Sequence, residues 1–336
     1  MMASLQESVI TYVTNVLPGQ LEICGGSVPE IERIIIANYN INVIVKLEGQ
    51  KFVFRLNVEQ QSGISDQIEY EYETLQFLEK HNISPRVHLI DNSKTILPYG
   101  FLIEEFIEGP HLDYDEADGI IEAARLLSLL HRIPLPNKNF FVVWQNPLKQ
   151  SLKDVEDLIE SYSARRSKND ILLDLSKHIV SKLETITDRH SKDFTGSSII
   201  HTDVCNDNFI RSPRGLKLID WEKPRIDDPS YDLCCFLGAP SELWSSPRTM
   251  KKEEVDLFLC EYCRNGGLSL DHVKLKTMIR QPFVSLHWVL WAAIRLADLM
   301  DGTISKDLMQ FHVKSVDRYK KVAAVEHLEM ILSDIE

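Results

Sequence analysis

Between residues 30 and 57 apolar and polar positions alternate with the two-residue period of half-buried strands. Ile34, Ile35 and Ile36 form one apolar run, Asn42 to Leu47 a second, and Lys51 to Leu56 a third. The Glu48 Gly49 Gln50 turn makes the last two an antiparallel hairpin, with Phe52 and Phe54 on one face and Val53 and Arg55 on the other. Over residues 66–80 the period lengthens: Ile68, Tyr72, Leu75 and Leu78 fall at helical spacing, and Pro85 lies beyond the end. Two more strands are expected, around Val87 to Asp91 and Gly100 to Phe106. After Gly109 and Pro110 the pattern turns helical, over Ile120 to His131, as one long charged stretch from Leu152 to Thr187, and again from Glu253 onward. Short β segments at Ser198 to Ile200 and Leu216 to Asp220 interrupt it. The expected class is α+β, with a small antiparallel β-rich lobe over residues 1–107 and a larger, mostly helical one over residues 108–336.

Composition narrows the choice of partners. A chain of 336 residues has room for about two domains, and 44% hydrophobic with 26% charged residues is ordinary for a globular protein. Fifty acidic residues against 37 basic ones give a formal net charge of -13, which repels phosphate backbones and anionic lipid, so neither nucleic acid nor membrane is an expected partner. The N-terminus lacks the basic-then-apolar pattern of a secretory signal. The most apolar stretch, Phe283 to Ile294, is too short for a bilayer and contains His287, so a cytoplasmic location is expected. The six cysteines make no dense disulfide framework. Cys260 and Cys263 have CxxC spacing without a second pair, which reads as two helix residues rather than a redox or zinc half-site.

Chemistry concentrates in residues 199–233, IIHTDVCNDNFIRSPRGLKLIDWEKPRIDDPSYDL. His201, Asp203 and Asn208 share one loop, and Asp220 ends the next strand. Phosphoryl transfer needs a carboxylate to position the attacking hydroxyl and oxygen ligands for Mg²⁺. Asp203 suits the first task, and Asn208 with Asp220 the second.

These residues match the HxDxxxxN catalytic loop, and Ile219 to Glu222 match the metal-binding IDWE segment, of the aminoglycoside phosphotransferase and choline kinase superfamily. The chain resembles that superfamily from Ile34 to about Leu299. The resemblance implies a protein-kinase-like two-lobe fold and an ATP- and Mg²⁺-dependent phosphotransferase. It makes Asp203 the catalytic residue and Asn208 and Asp220 the metal ligands. FVFRLN resembles the strand whose basic residue reaches the nucleotide phosphates, here Arg55, with Glu71 of EYETLQFL as its acidic partner in preference to Glu69 and Glu73. GFLIEEFIEG resembles the hinge, whose backbone at Glu105 and Ile107 would meet the adenine. His201 and Asp232 would brace the catalytic loop. FVSLHWVLWAAIRLADL resembles the tryptophan-bearing helix of choline and ethanolamine kinases, making Trp288 and Trp291 candidate substrate contacts by cation–π attraction.

Two departures bear on activity. The expected phosphate-covering turn, Ala37 to Asn42, has no glycine, which keeps a catalytically impaired nucleotide-binding scaffold as the alternative. Only seven residues lie between Asp220 and Asp228, leaving no room for the activation loop on which a protein kinase docks its peptide. The expected acceptor is therefore a small-molecule hydroxyl: an amino alcohol such as choline or ethanolamine, an aminoglycoside, thiamine or a sugar-like compound.

Overall fold

The structure, a computed structural model, describes residues 2–21, 28–37, 39–61, 63–137, 140–166, 170–246, 248–302 and 315–335. Cys24 and Asn38 lie outside the described residues. The chain divides into two compact units, residues 1–109 with 212–223, and residues 110–211 with 224–336.

The first unit is built on an antiparallel sheet of β1 (Glu30–Ile36), β2 (Asn40–Leu47), β3 (Gln50–Asn57), β4 (Val87–Asp91) and β5 (Phe101–Glu105), in the order β1-β2-β3-β5-β4. Alternation in β3 sorts its side chains. Phe52, Phe54 and Leu56 join Val43, Val45, Phe101 and Ile103 in an apolar layer. That layer is covered by α1 (Met2–Asn15) and α2 (Leu17–Leu21), through Leu5, Val9, Tyr12, Val13 and Leu17. The Tyr12 ring stands edge-on to Phe101 at 4.9 Å. The spacing of Leu5, Val9 and Tyr12 is helical, a signal the sequence offers beyond the absence of a secretion pattern. Arg55 belongs to the opposite set of β3 and meets α3 (Gln67–Leu78). Asp66 caps that helix by accepting a hydrogen bond from the Glu69 N–H at 3.0 Å.

In the second unit, α4 (Ala117–Leu130) ends at His131. The helical stretch expected over Leu152 to Thr187 is two helices, α5 (Pro147–Ser163) and α6 (Ile171–His190). Its break has a local cause: Asp170 accepts from the Leu172 and Leu173 N–H groups and starts a new helix, and the Tyr162 hydroxyl donates to the same carboxylate at 3.1 Å. The strands β6 (Ser198–Ile200), β7 (Phe209–Ser212) and, after β8 (Gly215–Leu218) in the segment that belongs to the first unit, β9 (Arg225–Asp227) follow, with β6 pairing antiparallel to β9. The remaining helices are α7 (Ser230–Leu237), α8 (Ala239–Ser245), α9 (Lys252–Gly266), α10 (Leu270–Met300), α11 (Val316–Val322) and α12 (Val325–Ile335). Cys260 and Cys263 are one turn apart on α9.

By length and composition α10 could cross a bilayer, yet 72% of its most apolar window is buried inside this chain. It is the core helix of the unit. Phe283, Leu286, Val289 and Leu290 pack with Leu148 and Val155 of α5, Ile179 and Leu183 of α6, and Leu328 of α12.

Candidate active site

In the first unit the site forms around Arg55. Its guanidinium is 3% exposed on β3, a position that would be costly without partners. Nε lies 2.5 Å from Glu71 Oε1 of α3. Nη2 donates to Asp220 and, at 2.8 Å, to Glu222 Oε1, while Nη1 donates to Asn42 Oδ1 at 3.3 Å. Burial alone would lower the Arg55 pKa, but Asp220, Glu71, Glu222 and Glu104 hold it well above its ordinary value. Of the three acidic residues considered on α3, Glu71 is the buried one; Glu69 is exposed and Glu73 half-buried.

Two more carboxylates belong to this cluster: Glu222, which the sequence marks only as the last residue of the IDWE segment, and Glu104. Glu222 ties the cluster together: it accepts from Asn40 Nδ2 as well as Arg55, from Gln61 Nε2 at 2.6 Å, and through its backbone carbonyl from Gln67. Asn40 is fully buried, and its Oδ1 accepts from Asn57 Nδ2 at 3.2 Å. The asparagines that stand where glycines were sought, Asn40 and Asn42, thus belong to β2 and bond within the chain. The second carboxylate is Glu104, opposite Val53 in the β3–β5 register and 7% exposed. Burial, helped by Glu71, Asp220 and Glu105 and opposed by Arg55, raises its pKa to about 8. Glu104 precedes Glu105 in the hinge-like segment, which was its only sequence signal. Glu105 ends β5, with its N–H donating to the Arg86 carbonyl at 2.8 Å, and Ile107 is buried just beyond.

In the second unit the catalytic-loop residues are brought together by β6, which delivers the chain to His201. Asp232 of α7 has no exposed surface and accepts from the backbone N–H groups of His201, at 2.7 Å, and Thr202, at 2.8 Å. His131 Nε2 lies 3.1 Å from the same carboxylate, and its Nδ1 is 2.9 Å from the Tyr262 hydroxyl. Burial would raise the Asp232 pKa, but the His131 and His201 contacts outweigh it and the pKa is lowered. This anchorage holds Thr202 at a φ of 75°, a left-handed backbone rare for a β-branched residue. The adjacent Asp203 is part-exposed. Its N–H donates to His201 Nδ1 at 3.3 Å, and Asn208 Nδ2 donates to its carbonyl at 2.8 Å and its carboxylate at 3.2 Å.

Trp288 and Trp291 lie half-buried on α10, edge-on to each other at 5.6 Å. Trp291 also meets Trp244 of α8 at 5.6 Å and Tyr319 of α11 at 5.7 Å.

Each unit by itself offers oxygen donors of the kind a hard cation takes: in the second, Asn208 commits its amide nitrogen to Asp203, which leaves an amide oxygen, and in the first Asp220 supplies a carboxylate at a φ of 69°. Around Arg55 one guanidinium faces the carboxyls of Glu71, Asp220 and Glu222, an acidic excess that a divalent cation would offset.

Residues 31–256 match the model of the phosphotransferase enzyme family. The chain belongs to that family. Its fold is shared with solved small-molecule kinases. A choline kinase from Cryptosporidium parvum Iowa II is 17% identical, with a TM-score of 0.68 over 98% of this chain and 95% of that one. An ethanolamine kinase from Plasmodium vivax is 19% identical, with a TM-score of 0.66 over 95% of this chain and 86% of that one. A spectinomycin phosphotransferase, solved with ADP and spectinomycin, is 12% identical, with a TM-score of 0.63 over 96% of this chain and 98% of that one. No curated protein matches the sequence. The protein is thus a phosphotransferase-family member with the protein-kinase-like α+β fold.

Proposed function

We propose that this protein is an ATP- and Mg²⁺-dependent kinase that moves the γ-phosphoryl group to a hydroxyl of a small molecule, most directly a cationic amino alcohol. The observation that carries the reading is the catalytic loop. Asp203 is part-exposed, its backbone N–H donating to His201 and its carboxylate accepting from Asn208, in a loop that Asp232 fixes from the core. A carboxylate so placed can accept the proton of an attacking hydroxyl and hold its oxygen in line.

Arg55, kept extended by Glu71, would bind the nucleotide phosphates. The carbonyl of Glu105 and the backbone of Ile107 would meet the base. Asn208 and Asp220 would hold Mg²⁺, which supplies charge neutralisation on the phosphate oxygens. ADP in the spectinomycin phosphotransferase of the same fold supports a nucleotide as the phosphoryl donor. The edge-to-face cluster of Trp244, Trp288 and Trp291 favours a cationic acceptor over a neutral sugar.

The test is ADP release with choline, ethanolamine, thiamine, homoserine, methylthioribose and aminoglycosides, with and without EDTA. An EDTA-sensitive increase with one of the amino alcohols is expected. ADP release unaffected by every acceptor, together with Mg²⁺-independent ATP binding, would instead mark a nucleotide-binding scaffold.

A further inference from the structure

Beside the catalytic aspartate stands a carboxylate that the proposed transfer does not use. Asp207 lies in the single turn Asn206–Asn208, one residue before the metal-ligand candidate. Arg318 reaches it from α11: Nη1 is 3.5 Å from Asp207 Oδ2, and the guanidinium carbon lies 5.5 Å from the centre of the Trp244 ring. Trp244 stands against Trp291 at 5.6 Å and Tyr319 at 5.5 Å, and Tyr319, fully buried, anchors α11 in this cluster.

The chain therefore places a cation of its own against a carboxylate and an indole face, on the loop that carries the residue that would orient the acceptor. The hold is loose. A 3.5 Å contact is longer than a charge-assisted hydrogen bond, and the Arg318 side chain is 47% exposed. A ring within about 6 Å of a cation attracts it whether the cation is guanidinium or substituted ammonium.

We infer that Asp207 and Trp244 form a cation site beside the catalytic loop, which Arg318 occupies in the absence of acceptor and which a cationic acceptor takes by displacing it. The inference rests on the kinase reading for the acceptor's identity, but the site can be read without turnover. An internal occupant lowers apparent affinity by the fraction of time the site is open, so removing it must tighten binding.

The experiment titrates full-length protein with tetramethylammonium chloride and follows tryptophan fluorescence. Arg318→Gln is expected to bind about tenfold tighter than wild type, Arg318→Lys to match wild type, and Asp207→Asn to remove the gain when added to Arg318→Gln. Equal or weaker binding by Arg318→Gln, at an unchanged melting temperature, overturns the proposal. If that variant melts early, Asp207→Asn alone decides: binding weakened about tenfold supports the site, and unchanged binding overturns it. In turnover, Arg318→Gln should lower KM for choline at constant kcat and leave KM for the neutral isostere 3,3-dimethylbutan-1-ol unchanged. Tight tetramethylammonium binding without phosphorylation of either alcohol would sustain the cation site and sink the amino-alcohol kinase.

Discussion

Arg55 and Asp220 are 165 residues apart in sequence, and the Nη2 group of one donates directly to the carboxylate of the other. The candidate phosphate ligand and the candidate metal ligand therefore share a hydrogen bond within a single unit. Glu71 and Glu222 grip the same guanidinium, so a buried arginine that sequence alone treats as a ligand contact is also a structural hub.

Substitution at Arg55 should consequently affect stability and nucleotide binding together. Arg55→Met strands Glu71, which is 1% exposed, and breaking a buried pair by removing one partner costs about 3–5 kcal/mol. Adding Glu71→Gln should recover part of that loss without recovering ATP affinity. Urea denaturation and ATP titration of the two variants check this. A double variant as unstable as the single one would show that Glu71 does not depend on Arg55.

Asp203 should behave in the opposite way. It is part-exposed, and an amide oxygen at this position can still accept from Asn208 Nδ2, so Asp203→Asn is expected to melt like wild type and to bind ATP normally. Loss of a positioned proton acceptor should lower kcat by about 10²- to 10⁴-fold. Single-turnover ADP formation with the best acceptor measures it; a kcat within a factor of about three of wild type would remove Asp203 from the catalytic role.

Much of this was legible in the chain, for reasons that differ by element. The β2–β3 hairpin announced itself because Phe52 and Phe54 alternate with Val53 and Arg55, and a two-residue period admits one assignment of faces. Likewise, α3 showed its apolar stripe. The catalytic loop was legible because its residues are close in sequence. What stayed hidden depends on contacts between distant residues. Nothing local marks Glu222 as the acceptor for Asn40, Arg55 and Gln61, or Glu104 as a buried acid rather than a surface neighbour of Glu105. The break between α5 and α6 has no local mark because Asp170 reads as one more charge in a charged stretch, and its role lies in its capping bonds.

Asp232 gives the fold an acid-sensitive point. Its pKa is lowered in the folded chain, so its contribution is complete above its unfolded value near 3.8 and is lost as pH falls through the lower folded value. Asp232→Asn forgoes that contribution at every pH. The variant should be less stable at pH 7 by about 1.5–3 kcal/mol, the scale of a hydrogen bond to a charged group, and the gap should narrow below about pH 3.8. Thermal melts of both proteins between pH 2.5 and 7 test the sign. A gap that widened on acidification would contradict it.

Glu104 carries the reverse dependence. With burial raising its pKa from 4.5 to about 8, the folded chain holds a proton that the unfolded chain releases. Stability is then lost as pH rises from about 4.5 towards 8, at up to about 1.4 kcal/mol per pH unit from this group. Glu104→Gln keeps a neutral side chain of the same shape and removes the titration. Its stability should match wild type near pH 4.5 and exceed it at pH 8, because only the wild type is then forced to hold a proton or bury a charge beside Glu71 and Asp220. Urea midpoints at pH 5 and pH 8 measure the crossover. If the variant is instead weaker at pH 8, the Glu104 carboxylate is ionised in the folded protein, and its attraction to Arg55 outweighs burial.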